Sequence, residues 1–189
     1  MTSSSLGSEA LAALKRLTLR QGGPDRHVQP VGMIGPGDGG ARECTAAQQV
    51  AGVLARAGMS IVCGGRGGVM EAASRGASEA GGIAIGILPE EDTRAANRYL
   101  TVAIPTGMGE MRNALIARSS ACLVAIGGGM GTISEMALGL KWGKAVFCLY
   151  EDVALAGLRP AQSVDELIVM VADWLAGEHS QDRGVPQGE

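Results

Sequence analysis

Residues 121–142, ACLVAIGGGMGTISEMALGLKW, hold the densest group of residues able to do chemistry. The apolar run Ala121 to Ile126 reads as a buried strand. Gly127-Gly128-Gly129-Met130-Gly131 follows it, and Thr132 is expected to open a helix. In such a unit the first-turn amides lack partners inside the helix and can receive an anion. Glycine lets a phosphate approach that backbone closely. Thr132 suits the helix cap, and Glu135 stands three residues on, as in a capping box. Two roles therefore compete for Glu135. It is either the structural partner of that cap, or a group that steadies a developing cation on a sugar or takes a proton from water.

Two further stretches carry cations beside glycine. Gly64-Gly65-Arg66-Gly67-Gly68 follows an apolar run and brings bare backbone and one arginine to the same place. Read alone, Arg66 is slightly better explained as an exposed arginine on a flexible turn. In Gly107-Met108-Gly109-Glu110-Met111-Arg112-Asn113, Arg112 lies early in a helix and has a fork suited to a phosphate or carboxylate. Arg118 is expected on another face, at the surface or an interface. A first glycine loop, Gly35-Pro36-Gly37-Asp38-Gly39-Gly40, fits either ligand contact or a tight turn. Other chemistries lack their parts. The glycine loop at 127–132 matches neither the dinucleotide fingerprint nor the P-loop ending. The two histidines, His27 and His179, lie near the ends, so no hydrolase triad forms.

The elements that must position these groups alternate along the chain. Strands are expected at 28–34, 60–63, 83–88, 100–104, 121–126 and 145–150, and helices at 42–57, 69–80, from Met108, from Thr132 and after Ser163. Short apolar strands alternating with helices imply parallel pairing with both faces covered. The fold class is thus α/β, a single-domain, Rossmann-like doubly wound parallel sheet with helices on both faces. Three of its strands end in glycine turns on the carboxyl edge, where ligands bind in this class. The expected division is an N-terminal segment at 1–26 with one helix capped by Ser8, a domain at 27–177, and a flexible tail at 178–189. Residues 1–7 are expected to be disordered, and the helix to pack on the domain or a partner subunit.

Composition narrows the function. The 189 residues suffice for one sizeable core. One Phe, two Tyr and two Trp leave no base-stacking platform, and a net charge of −3 without a basic stripe argues against nucleic acid. Cys44, Cys63, Cys122 and Cys148 are scattered, with no CxxC or Cys/His cluster, and read as buried thiols. No protein-ligated metal is expected. No apolar run nears the ~18 residues of a membrane span, and no signal-peptide pattern opens the chain, so the expected location is the cytoplasm.

The motifs together resemble the SLOG superfamily, the proteins often labelled lysine decarboxylase-like. The resemblance rests on Gly64-Gly65-Arg66-Gly67-Gly68-Val69-Met70-Glu71, Ile104-Pro105-Thr106-Gly107, Met111-Arg112-Asn113 and Ile126 through Glu135, and covers about Val31 to Leu149. One branch, Lonely Guy, comprises cytokinin-activating phosphoribohydrolases with a PGGxGTxxE signature and an arginine–lysine pair. Here Gly127 stands at the proline and Asn113 at the lysine, while Arg112, Gly129, Gly131, Thr132 and Glu135 match. The other branch, the molybdenum cofactor carrier proteins, has GGGxGTxSE and an arginine–asparagine pair, and this chain resembles it more closely. That likeness implies a carrier that binds, protects and transfers the molybdenum cofactor, a phosphate-bearing small molecule. It implies binding through Gly35, Gly37, Gly64, Gly65, Arg66, Gly67, Gly68, Met111, Arg112, Asn113, Gly128, Gly129, Met130, Gly131, Thr132 and Glu135. If the chain is instead an N-glycosidic hydrolase of nucleoside monophosphates, Arg112 and Glu135 are catalytic. Implied partners are molybdenum enzymes or cofactor-synthesis proteins, with a homodimer or homotetramer as the assembly. Helices 108–119 and 132–142, with Arg118 and Lys141, are the expected contact.

Overall fold

A computed structural model describes residues 6–150 and 153–178. Seven strands form one sheet in the order β4-β3-β2-β1-β5-β6-β7, and every neighbouring pair is parallel. They are β1 (Val31–Ile34), β2 (Ile61–Cys63), β3 (Ala84–Leu88), β4 (Val102–Pro105), β5 (Leu123–Ile126), β6 (Val146–Leu149) and β7 (Leu158–Pro160). The helices are α1 (Ser8–Gln21), α2 (Ala41–Arg56), α3 (Val69–Glu79), α4 (Asn113–Ser119), α5 (Met130–Lys141) and α6 (Val164–Ala176).

Parallel strands need a covering layer on each side because both of their faces are apolar. Along β5, Val124 and Ile126 point into one core cluster, while Leu123 and Ala125 point into the other. β6 divides the same way, Phe147 and Leu149 against Val146 and Cys148. Helices α1, α2, α3 and α6 close the first side. α4 and α5 close the second, through Ile116, Ala117 and Met136. The chain winds outward from β1 to β4, returns to the middle at β5, and winds the other way to β7. Loops after β1 and β5 therefore diverge, and a crevice opens between them.

Several boundaries differ from the sequence reading, each for a local reason. β1 begins at Val31, three residues late, and Val28 is exposed. The helix expected from Met108 is instead a 3-10 turn, Gly109–Arg112, followed by the seven-residue α4. Pro105 does not sit in a turn but pairs with Leu88 on the edge strand β4, where its missing N–H costs no ladder bond. β7 was not foreseen, because Leu158-Arg159-Pro160 is too short and polar to show a period. Ser8 is not the cap of α1. Gly7 is, and its N–H donates to Asp165 Oδ2 at 2.7 Å. α1 lies on α6, with Ala10, Ala13 and Leu17 buried and Arg16 paired to Asp173 at 2.5 Å. Ser163 caps α6 as expected, accepting from Glu166 N at 3.1 Å. The disorder expected for 1–7 and the tail at 178–189 fall largely outside the described residues.

The tightest helix contact joins α2 to α3. A Cβ added at Gly76 would lie 2.1 Å from the Gln48 carbonyl oxygen, a backbone atom that cannot swing aside. Gly76→Ala is therefore expected to destabilise the fold by about 1–3 kcal/mol in urea unfolding, as overpacking does. An unchanged midpoint would show that the two helices can part.

Candidate functional site

The crevice holds a cleft of about 500 Å³, within the range of small-molecule sites. Four segments build it. The end of β1 and its loop supply Met33, Ile34, Gly35, Pro36, Gly37 and Asp38. The loop after β2 supplies Gly64, Arg66 and Gly67, with Met70 from α3. The 3-10 turn and α4 supply Glu110, Arg112 and Asn113. The entry to α5 supplies Gly129, Gly131, Thr132 and Glu135.

Helix α5 starts earlier than the sequence suggests. Gly129 is the N-cap, with φ −175° and ψ 169°, and no side chain bonds there. The first intrahelical bond runs from Ile133 N to Gly129 O at 2.9 Å. The amides of Met130, Gly131 and Thr132 thus lie ahead of the ladder and have no helical acceptor. Thr132 is inside the helix and buried, so the expected capping box is absent. Glu135 is released from that structural role.

Glu135 faces the cleft instead, 6% exposed, with Oε1 4.0 Å from Arg112 Nη1. Arg112 is also 6% exposed, and Glu110 Oε2 stands 4.0 Å from the same Nη1. Both separations exceed hydrogen-bond length. The guanidinium donates no hydrogen bond to any described residue, and its Nε is buried without a partner. Burial pushes the Glu135 carboxyl up to about 8, against the pull of Arg112 and with a small push from Glu110. It is therefore mostly protonated at neutral pH.

Arg112 lies where it does because residue 64 is glycine. A Cβ there would stand 2.8 Å from Arg112 Nη2 and 2.7 Å from Met70 Sδ. The loop after β2 is fixed from two sides. Gly68, at φ +64°, packs against the carbonyls of Pro36 and Gly37, and Val69 N donates to Pro36 O at 3.1 Å. On the other side Asn97 donates from its backbone to Gly65 O (2.9 Å), and from Nδ2 to Gly65 O (3.1 Å), Arg66 O (3.2 Å) and Ser74 Oγ (3.3 Å). Arg66 itself pairs with Glu90 at 3.2 Å, at the mouth of the cleft.

Of the residues singled out from sequence, Gly35, Gly37, Gly64, Arg66, Gly67, Arg112, Asn113, Gly129, Gly131, Thr132 and Glu135 line the cleft. Five do not. Gly65 is buried against Leu88 and Gly86, and Gly68 serves the loop contact just described. Gly128 lines a separate hollow with Tyr150. Met111 and Met130 point outward, 75% and 82% exposed, into an apolar groove beside the cleft. Arg118 is exposed, stacked 4.4 Å from the Trp142 ring. Met33, Asp38, Met70, Glu110 and the clamp Asn97 were not foreseen. Asn97 lay in a polar stretch with no period, and only its several bonds reveal it. Among the described residues no cluster of three or more His, Cys, Asp or Glu could hold a metal ion, and no helix is long and apolar enough to cross a membrane. The thiol of Cys63, beneath the Arg66 loop, is buried and pushed up by that burial.

Fold and site define a doubly wound α/β protein with a cleft lined by glycine backbone, Arg112 and Glu135 at the switch point of its sheet. The SLOG cluster4 family model matches residues 28–173, and the chain belongs to that family. The molybdenum cofactor binding protein of Rippkaea orientalis is similar in structure, with a TM-score of 0.73 and 35% identity, over 78% of this chain and 98% of that one. The molybdenum cofactor carrier protein of Chlamydomonas reinhardtii gives a TM-score of 0.72 and 34% identity, over 78% and 99%. A cytokinin riboside 5'-monophosphate phosphoribohydrolase of Arabidopsis thaliana is 35% identical over 109 residues, 54% of this chain and 47% of the plant protein. This chain thus spans about half of that relative.

The two departures from the hydrolase signature have structural content. Gly127 adopts φ +68°, which a proline ring, locked near −65°, cannot reach. Asn113 Nδ2 donates to Ser134 Oγ at 2.9 Å, whose own proton goes to Gly131 O at 2.7 Å, so the amide is tied to α5.

The Glu135 carboxyl gives a pH signature without ligand. Its folded value, about 8, is above the unfolded 4.5, so the folded state holds the extra proton between them and native stability falls as pH rises through that window. Glu135→Gln removes this loss. Its melting temperature is expected to gain on the native protein steadily from pH 5 to pH 8.5. A constant difference across that range would show that Glu135 ionises normally.

Proposed function

We propose that this chain binds and carries a phosphate-bearing small molecule, and that the cargo is the molybdenum cofactor. The observation that carries the reading is Arg112, a buried guanidinium with no hydrogen-bond partner among the described residues, beside the free amides that open α5. A buried guanidinium without hydrogen bonds is costly, and a phosphate relieves it with charge-assisted bonds. Arg112 and the amides of Gly131 and Thr132 would hold the cargo's phosphate. The glycine backbone of Gly35, Gly37, Gly64 and Gly67, with Met33 and Met70, offers a flat wall for its pterin. The cleft volume suits a ligand of that size, and the identity to the two solved cofactor-binding proteins runs over almost their whole length. Delivery to molybdenum enzymes or receipt from cofactor-synthesis proteins follows from a carrier's task. For the expected homo-oligomer, the groove around Met111 and Met130 supplies apolar surface.

The hydrolase reading draws on one observation, a buried and strongly perturbed carboxyl in a cleft, which is a common mark of catalysis. The same perturbation narrows the role. A carboxyl that holds its proton at neutral pH does not steady a cationic sugar or take a proton from water, and would act as an acid toward the leaving base.

Molybdenum cofactor supplied anaerobically at about 100 times its dissociation constant is expected to stabilise the protein by about 2.7 kcal/mol, a rise of several degrees in melting temperature. Arg112→Ala should abolish the rise. Absence of any shift in the native protein overturns the carrier reading. Release of free base from AMP or a cytokinin nucleotide, lost in Glu135→Ala, would establish the hydrolase instead. Gly64→Ala adds a finer check. Its Cβ meets only the ends of two flexible side chains, so the fold should survive while cofactor binding weakens, because Arg112 is displaced.

A further inference from the structure

We infer that Glu135 belongs to the anion site as a neutral acid, its carboxyl O–H and an Arg112 N–H gripping the same oxygen of the bound phosphate. The inference rests on the phosphate-binding reading of the cleft and assigns the glutamate its part in it.

The geometry is that of two donors waiting for one acceptor. Glu135 Oε1 and Arg112 Nη1 are 4.0 Å apart and both line the cleft. With bonds of about 2.8 Å to each, one oxygen sits at the apex with its donors about 90° apart, an angle a phosphate oxygen accepts. Neither group has a competing bond among the described residues. At 4.0 Å Glu135 and Arg112 make no direct hydrogen bond, and the gap leaves room for one oxygen between them.

The charged surroundings agree. The 3-10 turn presents Arg112 and Glu110. The end of β2 and its loop present Cys63 and Arg66, the loop after β1 presents Asp38, and α3 and α4 present only the non-titrating Met70 and Asn113. Burial raises Glu135 to about 8, Arg112 opposes this, and Glu110 adds to it. Above that pH, ligand capture must return a proton to Glu135. Below about pH 7 the proton is already in place. The cleft thereby favours oxyanions that present an unprotonated oxygen, which accepts from both donors.

Inorganic sulfate is the probe, because its charge is constant across the range. Binding is followed by the amide shifts of Gly131 and Thr132 from about pH 6.5 to 9.5, at fixed ionic strength. Native affinity is expected to be level to about pH 7 and to fall by up to about tenfold per unit above pH 8. Glu135→Gln keeps an N–H donor and should bind with near-native strength at every pH, without that fall. Glu135→Met keeps the bulk but no donor, and should bind about tenfold or more weakly even at pH 6.5. The inference is overturned if the glutamine variant retains the native pH slope. It is equally overturned if the methionine variant matches the native protein at low pH, since the glutamate then acts only by repulsion once ionised. Native binding that is independent of pH removes the role of Glu135 but leaves the anion cleft standing. No sulfate binding at any pH overturns the cleft reading itself.

Discussion

A guanidinium with nothing to bond to organises this molecule. Arg112 is nearly enclosed, its Nε has no partner, and the two nearest carboxylates stand at 4.0 Å. Such a group persists only if the rest of the fold holds it there. Three constraints do so. Gly64 supplies a surface without a Cβ for the guanidinium to lie against, the 3-10 turn runs directly into α4 without a break, and the switch point of the sheet opens space in front of it. Each is local and cheap to specify. Their convergence at one point is a property of the sheet order.

That distinction separates what the sequence made legible from what it hid. The parallel sheet and its two helical layers follow from apolar runs that alternate with amphipathic segments, and those signals are strong. Glycine loops at strand ends were equally plain, and eleven of the sixteen residues singled out line one cleft. The five that do not show why motif membership is weaker than geometry. Gly65 and Gly68 are tied to packing and to a positive φ. Met111 and Met130 flank cleft residues in the chain, yet the helical turn rotates them onto the outer groove.

Glu135 was the hardest residue to read because two patterns overlap on it. Thr-x-x-Glu looks like a capping box, and the structure breaks the tie by starting α5 at Met130. One turn of displacement converts Thr132 from a cap into a buried first-turn residue and frees the carboxyl to face Arg112. Helix starts are the least secure feature of any sequence reading, since Gly129 caps by backbone conformation alone. Asn97 was hidden for the opposite reason. No local pattern marks a residue whose partners, Gly65, Arg66 and Ser74, lie some 23 to 32 positions away.

Of the two departures from the hydrolase signature, one bears on charge and the other on backbone shape. The fold brings bare amides and one arginine to the same cleft. Cleaving a glycosidic bond asks for more, because positive charge develops on the sugar and an ionised carboxylate must face it. A lysine at position 113 would stand near Glu135 and favour its ionised form. Asn113 is neutral and is tied to Ser134, so it offers no such help. Gly127 adopts a φ closed to proline. At Glu135 burial outweighs the attraction of Arg112 and pushes the carboxyl up to about 8.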